Sequence, residues 1–487
     1  MVEKELEKIV GKENTLDHPE ILKKYSEDSG FSPPKTPACV VKPANIEELK
    51  GIVMWANSKR KALVPISSGA PHFRGDTVPG VEGAVMVDLR RMNKIIRINV
   101  ANRVALVEPG VTFGELQAEL SKSGLCAYMP LLPRSTKSVL ASALEREPIT
   151  MPYVHFDSTD PMLCTEIVFG TGDRMRTGEA AGPDTLEQQW EIGKAQISPF
   201  GPTQMDPQRL VSGAQGTIGI VTWMSLKCRF QSERSMAFLI PCATLGPLMA
   251  LSYKLTRIRF TGYLFILNGL NLAGLLSFTP QEIARLGAKL PPYAMFVSCE
   301  GYGPLPEEKV QYLKEDLKEL TASFGLKAET TVGGIEAEEL AALLAAPSPE
   351  PYWKLRLKGG FSDLFFLTTQ GKIPAFAEAM TEIARRQEYP AGNIGMYIQP
   401  VVMGTSCHCE FDFYYDPADQ AAVEKTRIIV SEAADKMETM GAFFSRPYRP
   451  WANVAYRRAR DTVEMQKKVK DIFDPNGILN PGRLCFQ

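Results

Sequence analysis

The sequence predicts an α+β protein with two domains, and three observations support this prediction. The chain has 487 residues, more than the roughly 100–200 residues of one typical domain. Strand-like and helix-like stretches alternate along it. The composition changes near residue 232, and the alternating strands and helices beyond that point are typical of an α+β domain. We therefore expect one domain over residues 1–231 and a second that begins at residue 232.

The composition excludes several classes of protein. Hydrophobic residues make up 44% of the chain and charged residues 23%, as in ordinary soluble globular proteins. A formal net charge of −1 gives no sign of nucleic-acid binding. The charged N-terminus does not resemble a secretory signal. The longest apolar stretch, Gly262–Phe278, contains Asn268 and Asn271, so we expect a buried strand and helix rather than a membrane span.

The cysteines indicate a reducing compartment. The chain has nine of them, mostly scattered and without a C-x-x-C pair. This pattern predicts free thiols in a cytoplasmic protein and gives no zinc or iron–sulfur motif.

Local signals predict individual elements of the first domain. Asn45 is expected to cap a helix because Glu48 follows three residues later, and Thr112 is expected to cap the next one. Gly172-Asp173, within LCTEIVFGTGDRMRTG, predicts the turn of a hairpin.

In the second domain, apolar periodicity predicts helices at Glu307–Phe324, Ile373–Arg386 and Ala421–Met440. A strand is expected over Glu410–Tyr415, directly after the unusual sequence Cys407-His408-Cys409.

Three Gly- and Ser-rich segments recur in the first domain: Ser67–Gly75, Pro133–Ser142 and Ser212–Thr222. Such loops expose backbone N–H groups and hydroxyls, which can hold a pyrophosphate. Neither G-x-x-x-x-G-K-[ST] nor a G-x-G-x-x-G between strand and helix is present. Taken singly, each segment could equally be an ordinary tight turn.

An ordered series of motifs carries a more specific signal. It comprises SSGAPHFRGDTVP, VMVDLRRMNKIIRI, VALVEPGVTFGELQAEL, EIVFGTGDRMRTG, SGAQGTIGIVT and DIFDPNGILNPGRL. This series resembles the vanillyl-alcohol oxidase/p-cresol methylhydroxylase (PCMH) family of FAD-linked oxidoreductases. The resemblance implies FAD as cofactor and a two-domain, PCMH-type FAD-binding fold whose core covers residues 33–231. It also implies an α+β cap (substrate) domain over 232–445 and a segment, 446–487, that returns to the FAD domain.

The resemblance also implies which residues contact FAD. They belong to the three Gly- and Ser-rich segments, to the turn near residue 110 and to the tail. They are Ser67, Ser68, Gly69, Ala70, Pro71, His72, Gly75, Pro109, Gly110, Ser135, Thr136, Ser138, Gly216, Gly219, Ile220, Val221, Asn480 and Arg483. Relatives carry a glycine-rich turn where this chain has VLASALEREP (139–148), so we expect a reshaped flavin pocket on that side.

The match to the family's catalytic residues is partial. Phenol-oxidising members bind a phenolate through two tyrosines and an arginine, with an aspartate near flavin N5. Tyr448-Arg449 matches the C-terminal pair of that set, whereas Arg74 stands where the loop tyrosine would be. The motif PYGDH is replaced by PYVH, which ends at His155; the aspartate is absent, and Asp157 is not a clean match. Oxidation of 4-alkylphenols is therefore in question.

Arginines at one site favour a substrate that carries a carboxylate. Arg74, Arg449 and Arg446 could contribute, because guanidinium groups bind planar oxyanions through two parallel hydrogen bonds. Arg74 could instead neutralise the FAD phosphates or form a surface ion pair. His155 could transfer protons, since its ordinary pKa is near ~6.5, or serve a structural role.

Cys407 and His408 are candidates for covalent attachment of the flavin, because the family sometimes attaches FAD from this region. Strand alternation places Cys407 and Cys409 on one face and His408 on the other. His408 could then be a tether, a catalytic base or an outward-facing strand residue. A metal would need carboxylates such as Glu410 beside the one histidine, so no metal and noncovalent FAD are expected.

These observations predict an FAD-dependent dehydrogenase. It would take a hydride from a small hydroxylated, anionic or aromatic substrate to flavin N5. A protein acceptor, such as a cytochrome c subunit or an electron-transfer flavoprotein, would receive the electrons, because the chain has no NAD or iron–sulfur motif. An oxygen-using 4-alkylphenol or aryl-alcohol oxidase and a non-catalytic electron-transfer subunit are the alternatives. A homodimer or a heteromeric complex is expected.

Overall fold

The computed structural model describes residues 2–75, 77–154, 160–182, 184–201, 206–260, 262–448 and 451–486. Within these ranges the backbone forms eighteen β-strands and sixteen α-helices. The strands are β1 (Thr15–Leu16), β2 (Cys39–Val41), β3 (Leu63–Ile66), β4 (Val85–Asp88), β5 (Ile95–Asn99), β6 (Val104–Val107), β7 (Leu125–Ala127), β8 (Met162–Phe169), β9 (Arg174–Arg176), β10 (Gly219–Phe230), β11 (Arg234–Cys242), β12 (Leu264–Asn268), β13 (Tyr293–Gly301), β14 (Thr331–Val332), β15 (Ile335–Glu336), β16 (Gly360–Thr368), β17 (Ile394–Val401) and β18 (Ser406–Tyr415). The helices are α1 (Val2–Val10), α2 (Pro19–Ser26), α3 (Ile46–Lys59), α4 (Phe113–Ser121), α5 (Val139–Leu144), α6 (Leu186–Glu191), α7 (Gln208–Val211), α8 (Leu245–Arg257), α9 (Gly269–Leu276), α10 (Pro280–Gly287), α11 (Pro306–Ser323), α12 (Ala337–Leu344), α13 (Ile373–Arg386), α14 (Gln420–Thr439), α15 (Ala452–Tyr456) and α16 (Arg460–Phe473).

The strands up to Phe230 form two sheets, which we call the N-terminal region. The first sheet has the order β1-β2-β4-β3, and both β2 and β3 run parallel to β4. The second has the order β5-β6-β10-β8-β9 with antiparallel neighbours, and β7 pairs with the far end of β10. The loop that starts at Ser67 leaves the carboxyl end of β3, the edge at which open sheets with parallel strands commonly bind ligands.

The predicted start signals of this region are confirmed. Asn45 Oδ1 accepts a hydrogen bond from the Glu48 backbone N–H at 2.9 Å and caps α3. Thr112 and Glu115 form a reciprocal capping box at the start of α4. The hairpin between β8 and β9 turns at Gly172, whose φ of +87° suits glycine.

From Arg234 onward the strands join another sheet, here called the cap sheet. Its order is β11-β13-β12-β17-β18-β16, and neighbouring strands are antiparallel. One face packs against α8, α11, α13 and α14 around a large apolar core. The other face carries charged side chains and turns toward the N-terminal region, since Asp363 of β16 contacts Arg74.

The predicted start of β18 was wrong. The strand begins at Ser406 rather than Glu410, because residues 407–409 already pair with both β16 and β17. Alternation along this longer strand sends Cys407 and Cys409 into the apolar core and His408 to the opposite face. The two faces therefore follow the prediction although the boundary does not.

The apolar stretch Gly262–Phe278 forms β12 and α9, as expected from its sequence. Both elements belong to the cap, and the strand is buried between β13 and β17. None of the helices in the described ranges has both the length and the hydropathy of a membrane-spanning helix.

The tail after α16 lies against the N-terminal region. The Leu63 backbone N–H donates to Ile478 O at 2.7 Å, and the Asn480 N–H donates to Leu63 O at 2.8 Å. The Asp474 carboxylate accepts hydrogen bonds from the backbone of Ile478 and Leu479. These bonds hold the tail beside β3 and carry Asn480 to the loop that leaves it.

Candidate active site

A large cavity lies between the N-terminal region, the cap sheet and the tail. Its empty volume is about 1710 Å³, a figure that includes open solvent at its mouth. Its wall includes Ser67 and Ser68 from the loop after β3, Tyr397 and Glu410 from the cap sheet, and Asn480 from the tail.

Hydrogen bonds join two of the Gly- and Ser-rich segments. The Gly69 N–H donates to Thr136 O at 3.1 Å, and the Ser138 N–H donates to Ser68 Oγ at 3.1 Å. Ser138 Oγ in turn donates to Pro109 O at 2.6 Å and caps α5. These contacts bring the loop after β3 and the segment before α5 to the same wall of the cavity.

Half of the predicted FAD contacts line this cavity. They are Ser67, Ser68, His72, Pro109, Gly216, Gly219, Ile220, Val221 and Asn480. The others do not line it. They are Gly69, Ala70, Pro71, Gly75, Gly110, Ser135, Thr136, Ser138 and Arg483. Several of the second group, such as Ser138, instead hold the lining segments in place.

Two glycines make a close backbone approach possible in this wall. Gly216 has a φ of +70°, and a Cβ there would lie 2.6 Å from Pro65 Cγ. A Cβ at Gly219 would lie 2.6 Å from Ile167 Cγ2. Any side chain at these positions would collide, so the wall is built from backbone at this point.

The residues of this wall fit FAD. Asn480 Nδ2 donates to Gln215 O at 2.7 Å. Asn480 Oδ1 is buried and has no hydrogen-bond partner among the described residues. An unsatisfied buried acceptor costs about 1–3 kcal/mol, and FAD carries hydroxyl and ring N–H donors that could satisfy it. The hydroxyls of Ser67 and Ser68 and the close glycine backbone complete a wall suited to this cofactor.

Arg74 lies at the junction of the two regions rather than on the surface. Its guanidinium pairs with Asp363 at 2.8 Å and with Glu147 at 3.3 Å, and it stacks 5.5 Å from the ring centroid of Tyr448. Burial lowers the pKa of Arg74, but Asp363 and Glu147 outweigh burial and hold that pKa above its ordinary value. The protein itself therefore neutralises this arginine.

The segment VLASALEREP contributes two carboxylates to the cavity wall. It forms the short helix α5, after which Glu145 and Glu147 accept hydrogen bonds from Lys137 Nζ at 2.7 and 3.1 Å. Ser142 Oγ also donates to Glu147 at 2.6 Å. Burial raises the pKa of Glu147, but Lys137 and Arg74 outweigh it and hold that pKa well below its ordinary value.

Arg446 is a buried guanidinium that forms no ion pair with the described residues. It is 4% exposed and lines the cavity. Its Cζ lies 3.9 Å from the ring centroid of Phe365. Burial and the nearby charge of Arg74 lower its pKa, yet an arginine stays charged in proteins. A positive charge therefore faces the cavity, and the part of the chain that the structure describes offers it no ion-pair partner.

Three buried carboxylates, here called the carboxylate cluster, lie on the cavity side of the cap sheet: Asp363, Glu410 and Asp412. One oxygen of each lies within 4.8 Å of the others, a spacing that could hold a metal ion. Lys354 Nζ occupies this space instead, at 2.5 Å from Glu410 and 2.6 Å from Asp412. Burial raises the pKa of Asp412 to about 7.

The structure separates the two candidates for flavin attachment. Cys407 lies in the apolar core on the helix-covered face of the cap sheet, and burial raises its pKa. His408 is buried on the opposite face, so it is not an outward-facing strand residue; its Nε2 lies 3.0 Å from Glu410 Oε2. Burial lowers the pKa of His408. Neither residue lines the cavity.

Among the predicted catalytic residues, Tyr448 and Arg74 line the cavity. His155, Arg449 and the neighbouring Asp157 lie outside the described residues.

Sequence reasoning missed Lys354, Asp363 and Asp412. One signal could have revealed part of this set. His408, Glu410 and Asp412 recur with period two in a strand that is otherwise apolar, so alternation places three ionisable groups on one face. Lys354 and Asp363 carry no comparable local pattern.

Two family models match the chain. One, described as an FAD binding domain, matches residues 37–145, and the C-terminal domain of FAD linked oxidases matches residues 448–484. D-2-hydroxyglutarate dehydrogenase of Stutzerimonas stutzeri is 24% identical over 99% of this chain and 98% of its own length. The flavoprotein subunit of 4-cresol dehydrogenase (hydroxylating) of Pseudomonas putida is 23% identical over 92% of this chain and 87% of its own.

The fold is shared with a solved structure. The 4-ethylphenol oxidase of Gulosibacter chungangensis, in its isoeugenol complex, superimposes with a TM-score of 0.84 at 19% identity. The match covers 100% of this chain and 96% of that one. FAD is therefore the cofactor, and the chain is an FAD-linked oxidoreductase that shares the fold of p-cresol methylhydroxylase and 4-ethylphenol oxidase.

Proposed function

We propose that this oxidoreductase is a dehydrogenase of a small hydroxylated substrate that also carries a carboxylate. The supporting observation is Arg446, a buried guanidinium that lines the cavity and forms no ion pair with the described residues. Guanidinium groups bind carboxylates through two parallel, charge-assisted hydrogen bonds. A substrate carboxylate would supply the missing negative charge.

The residues around Arg446 define what such a site does. Phe365 supports the guanidinium from one side, and Tyr448 and Trp451 pack edge-on against the Phe365 ring. This aromatic support fixes the guanidinium and excludes water, which strengthens its attraction for an anion. Bound FAD supplies the hydride acceptor; the protein binds and orients the substrate.

The name of one relative supports the substrate class. D-2-hydroxyglutarate dehydrogenase, which matches nearly the whole chain, is named for a hydroxylated carboxylic acid. The name of the 4-cresol relative refers to a flavoprotein subunit, which supports transfer of electrons to a protein acceptor. We propose a cytochrome c subunit or an electron-transfer flavoprotein for that role, and a homodimer or heteromeric complex as the assembly.

Oxidation of a 4-alkylphenol is the second candidate. Tyr448, which matches the family's phenolate-binding tyrosine, lines the cavity. The shared fold with a 4-ethylphenol oxidase is consistent with it. However, Arg74 stands at the position of the second tyrosine and is already paired with Asp363 and Glu147. The first candidate therefore has the stronger structural support.

Anaerobic reduction of the flavin tests the proposal. The holoprotein is mixed in turn with 2-hydroxy acids and 4-alkylphenols while the visible spectrum is followed. We expect bleaching by a hydroxy acid. Arg446→Met should raise the concentration needed for half-maximal reduction at least about tenfold, because a hydrogen bond to a charged group contributes about 1.5–3 kcal/mol.

Two controls accompany this experiment. Arg446→Lys keeps the charge and should retain part of the affinity. Arg385→Met removes an exposed arginine of α13 and should change nothing. Bleaching by 4-alkylphenols alone would overturn the proposal in favour of the second candidate.

A further inference from the structure

The carboxylate cluster is built into the strands of the cap sheet. Asp363 of β16 is the direct register partner of Asp412 of β18, and Glu410 lies two residues before Asp412 on the same face. Lys354 enters from the single turn Trp353–Leu355 that precedes β16. Because the carboxylates stand on paired strands rather than on loops, their separations are fixed by the sheet.

The positive charge of Lys354 offsets the mutual repulsion of the three carboxylates in the cluster. Three carboxylates whose oxygens lie within 4.8 Å of one another repel strongly when buried. Burial alone would lower the pKa of Lys354, but Asp412, Glu410 and Asp363 outweigh it and raise that pKa well above its ordinary value. Lys354 is therefore a permanent cation at this position.

One N–H of this ammonium has no oxygen or nitrogen acceptor among the described residues, although the ring centroids of Phe361 and Trp353 lie 5.1 and 5.4 Å from Nζ. An ammonium has three donors, and Lys354 donates to Glu410 and Asp412. Asp363 lies 3.6 Å from Nζ, beyond hydrogen-bond distance, and no other acceptor is found among the described residues. Lys354 lines the cavity, so a ligand oxygen there can take the third N–H.

We propose that Lys354 is the resident cation of the carboxylate cluster, in the space where a metal ion would otherwise be held, and that its third N–H binds the hydroxyl oxygen of the substrate. This rests on the proposed function, in which Arg446 binds the substrate carboxylate. Two fixed cations then orient the two oxygen-bearing ends of a hydroxy acid.

The charge around Lys354 favours a hydroxyl over a second carboxylate. Three carboxylates surround one ammonium, and the other cation that pairs with this cluster, Arg74, is shared between Asp363 and Glu147. Another anion placed beside Lys354 would meet this surplus negative charge. A neutral hydroxyl can accept the hydrogen bond without that repulsion.

The first test uses the unmodified holoprotein. With the flavin chemically reduced so that no turnover occurs, titration calorimetry compares mandelate with phenylacetate and lactate with propionate. We expect each hydroxy acid to bind about tenfold more tightly than its partner without the hydroxyl. Equal affinity within both pairs would overturn the inference and leave the proposed function standing. Failure of all four acids to bind would overturn both.

Variants separate the two cations. Lys354→Met should bring the affinities of the two acids of a pair together, whereas Arg446→Met should weaken both acids of a pair and keep their ratio. Lys354→Met/Asp412→Asn removes one negative charge with the ammonium and should fold if the single variant does not. Lys358→Met, an exposed position nearby, is the matched control and should keep the preference. An unchanged preference in both Lys354 variants would overturn the inference.

A metal-binding readout is independent of the substrate. Lys354→Ala leaves the carboxylate cluster without its cation, and it should gain binding of one Mn²⁺, detected by electron paramagnetic resonance. Lys354→Ala/Glu410→Gln should lose that site. The unmodified protein should contain no stoichiometric metal, and its flavin reduction should resist chelators. Stoichiometric metal whose removal abolishes flavin reduction would overturn the proposal.

Discussion

The two walls of the cavity are built from different materials. The part of the wall around Ser67, Gly216 and Gly219, here called the backbone wall, is mainly backbone, small side chains and hydroxyls. The wall from the cap sheet is formed by buried charges, as at Asp363 and Glu410. A cofactor held by backbone leaves a local sequence motif, whereas a substrate site built from single side chains on separate strands leaves almost none.

The strongest test of this comparison is the ion pair that joins the walls. Arg74→Met leaves Asp363 and Glu147 without their shared guanidinium. Breaking a buried pair by removing one partner costs about 3–5 kcal/mol. We expect a loss of stability of this size, measured by urea unfolding of the holoprotein.

The double variant Arg74→Met/Asp363→Asn gives the control for that measurement. It removes the charge that Arg74→Met leaves behind and should recover part of the lost stability. If Arg74→Met unfolds at the same urea concentration as the unmodified protein, the ion pair does not hold the two walls together.

A smaller effect is expected at the backbone wall. Gly216→Ala introduces a Cβ that meets Pro65 at 2.6 Å, at a residue whose φ is +70°. Overpacking of this kind costs about 1–3 kcal/mol, so the flavin content after purification should fall severalfold. Gly246→Ala, where a Cβ meets nothing within 4 Å, is the control and should keep its flavin. Full flavin content in both variants would show that this backbone approach does not matter for FAD.

The charged wall should respond to pH, and the backbone wall should not. Burial, with Glu410 and Asp363, raises the pKa of Asp412 to about 7, and Lys354 opposes this. As pH rises through this value, Asp412 loses its proton and adds negative charge. Phenylacetate affinity should therefore fall from about pH 6 to about pH 8, by at most about tenfold per unit for one proton.

Asp412→Asn separates this effect from other titrations. The amide keeps the shape of the side chain but does not ionise. The affinity for phenylacetate should therefore become nearly independent of pH over the same interval. FAD retention should be constant with pH in both proteins. If the affinity still depends on pH in Asp412→Asn, a group other than Asp412 causes the dependence.

The smallest expected effect concerns the attachment of the flavin. Cys407 lies in the apolar core and His408 does not line the cavity. Acid precipitation should therefore release the flavin from the unmodified protein, from Cys407→Ala and from His408→Gln. Flavin retained in the pellet would identify a covalent link, and peptide mapping would locate it.

Sequence reasoning succeeded where the signal is local. Asn45 and Glu48 are three residues apart and predict a helix start, and the apolar period of Ile373–Arg386 gave the bounds of α13. The start of β18 was missed because Cys407 and His408 are weak strand signals, and pairing with two neighbouring strands decides their conformation. Tertiary contacts overrode local preference there.

In the cavity too, residues that belong to a local motif were predicted, whereas residues that only the fold brings together were not. Ser67 and Gly216 belong to recognisable loops and were predicted, and both line the cavity. Arg74 and Asp363 are 289 positions apart in the chain, so only the fold brings them together. Arg446 carries no motif of its own, and its importance follows from what surrounds it.

The position of the tail has a consequence for biosynthesis. Asn480 lines the cavity and Leu479 lies beside β3, although β3 is synthesised hundreds of residues earlier. A nascent chain still lacking these residues has an incomplete wall around the cofactor. Full-strength FAD binding must therefore follow synthesis of the tail, and until then the loop after β3 lacks part of its final support.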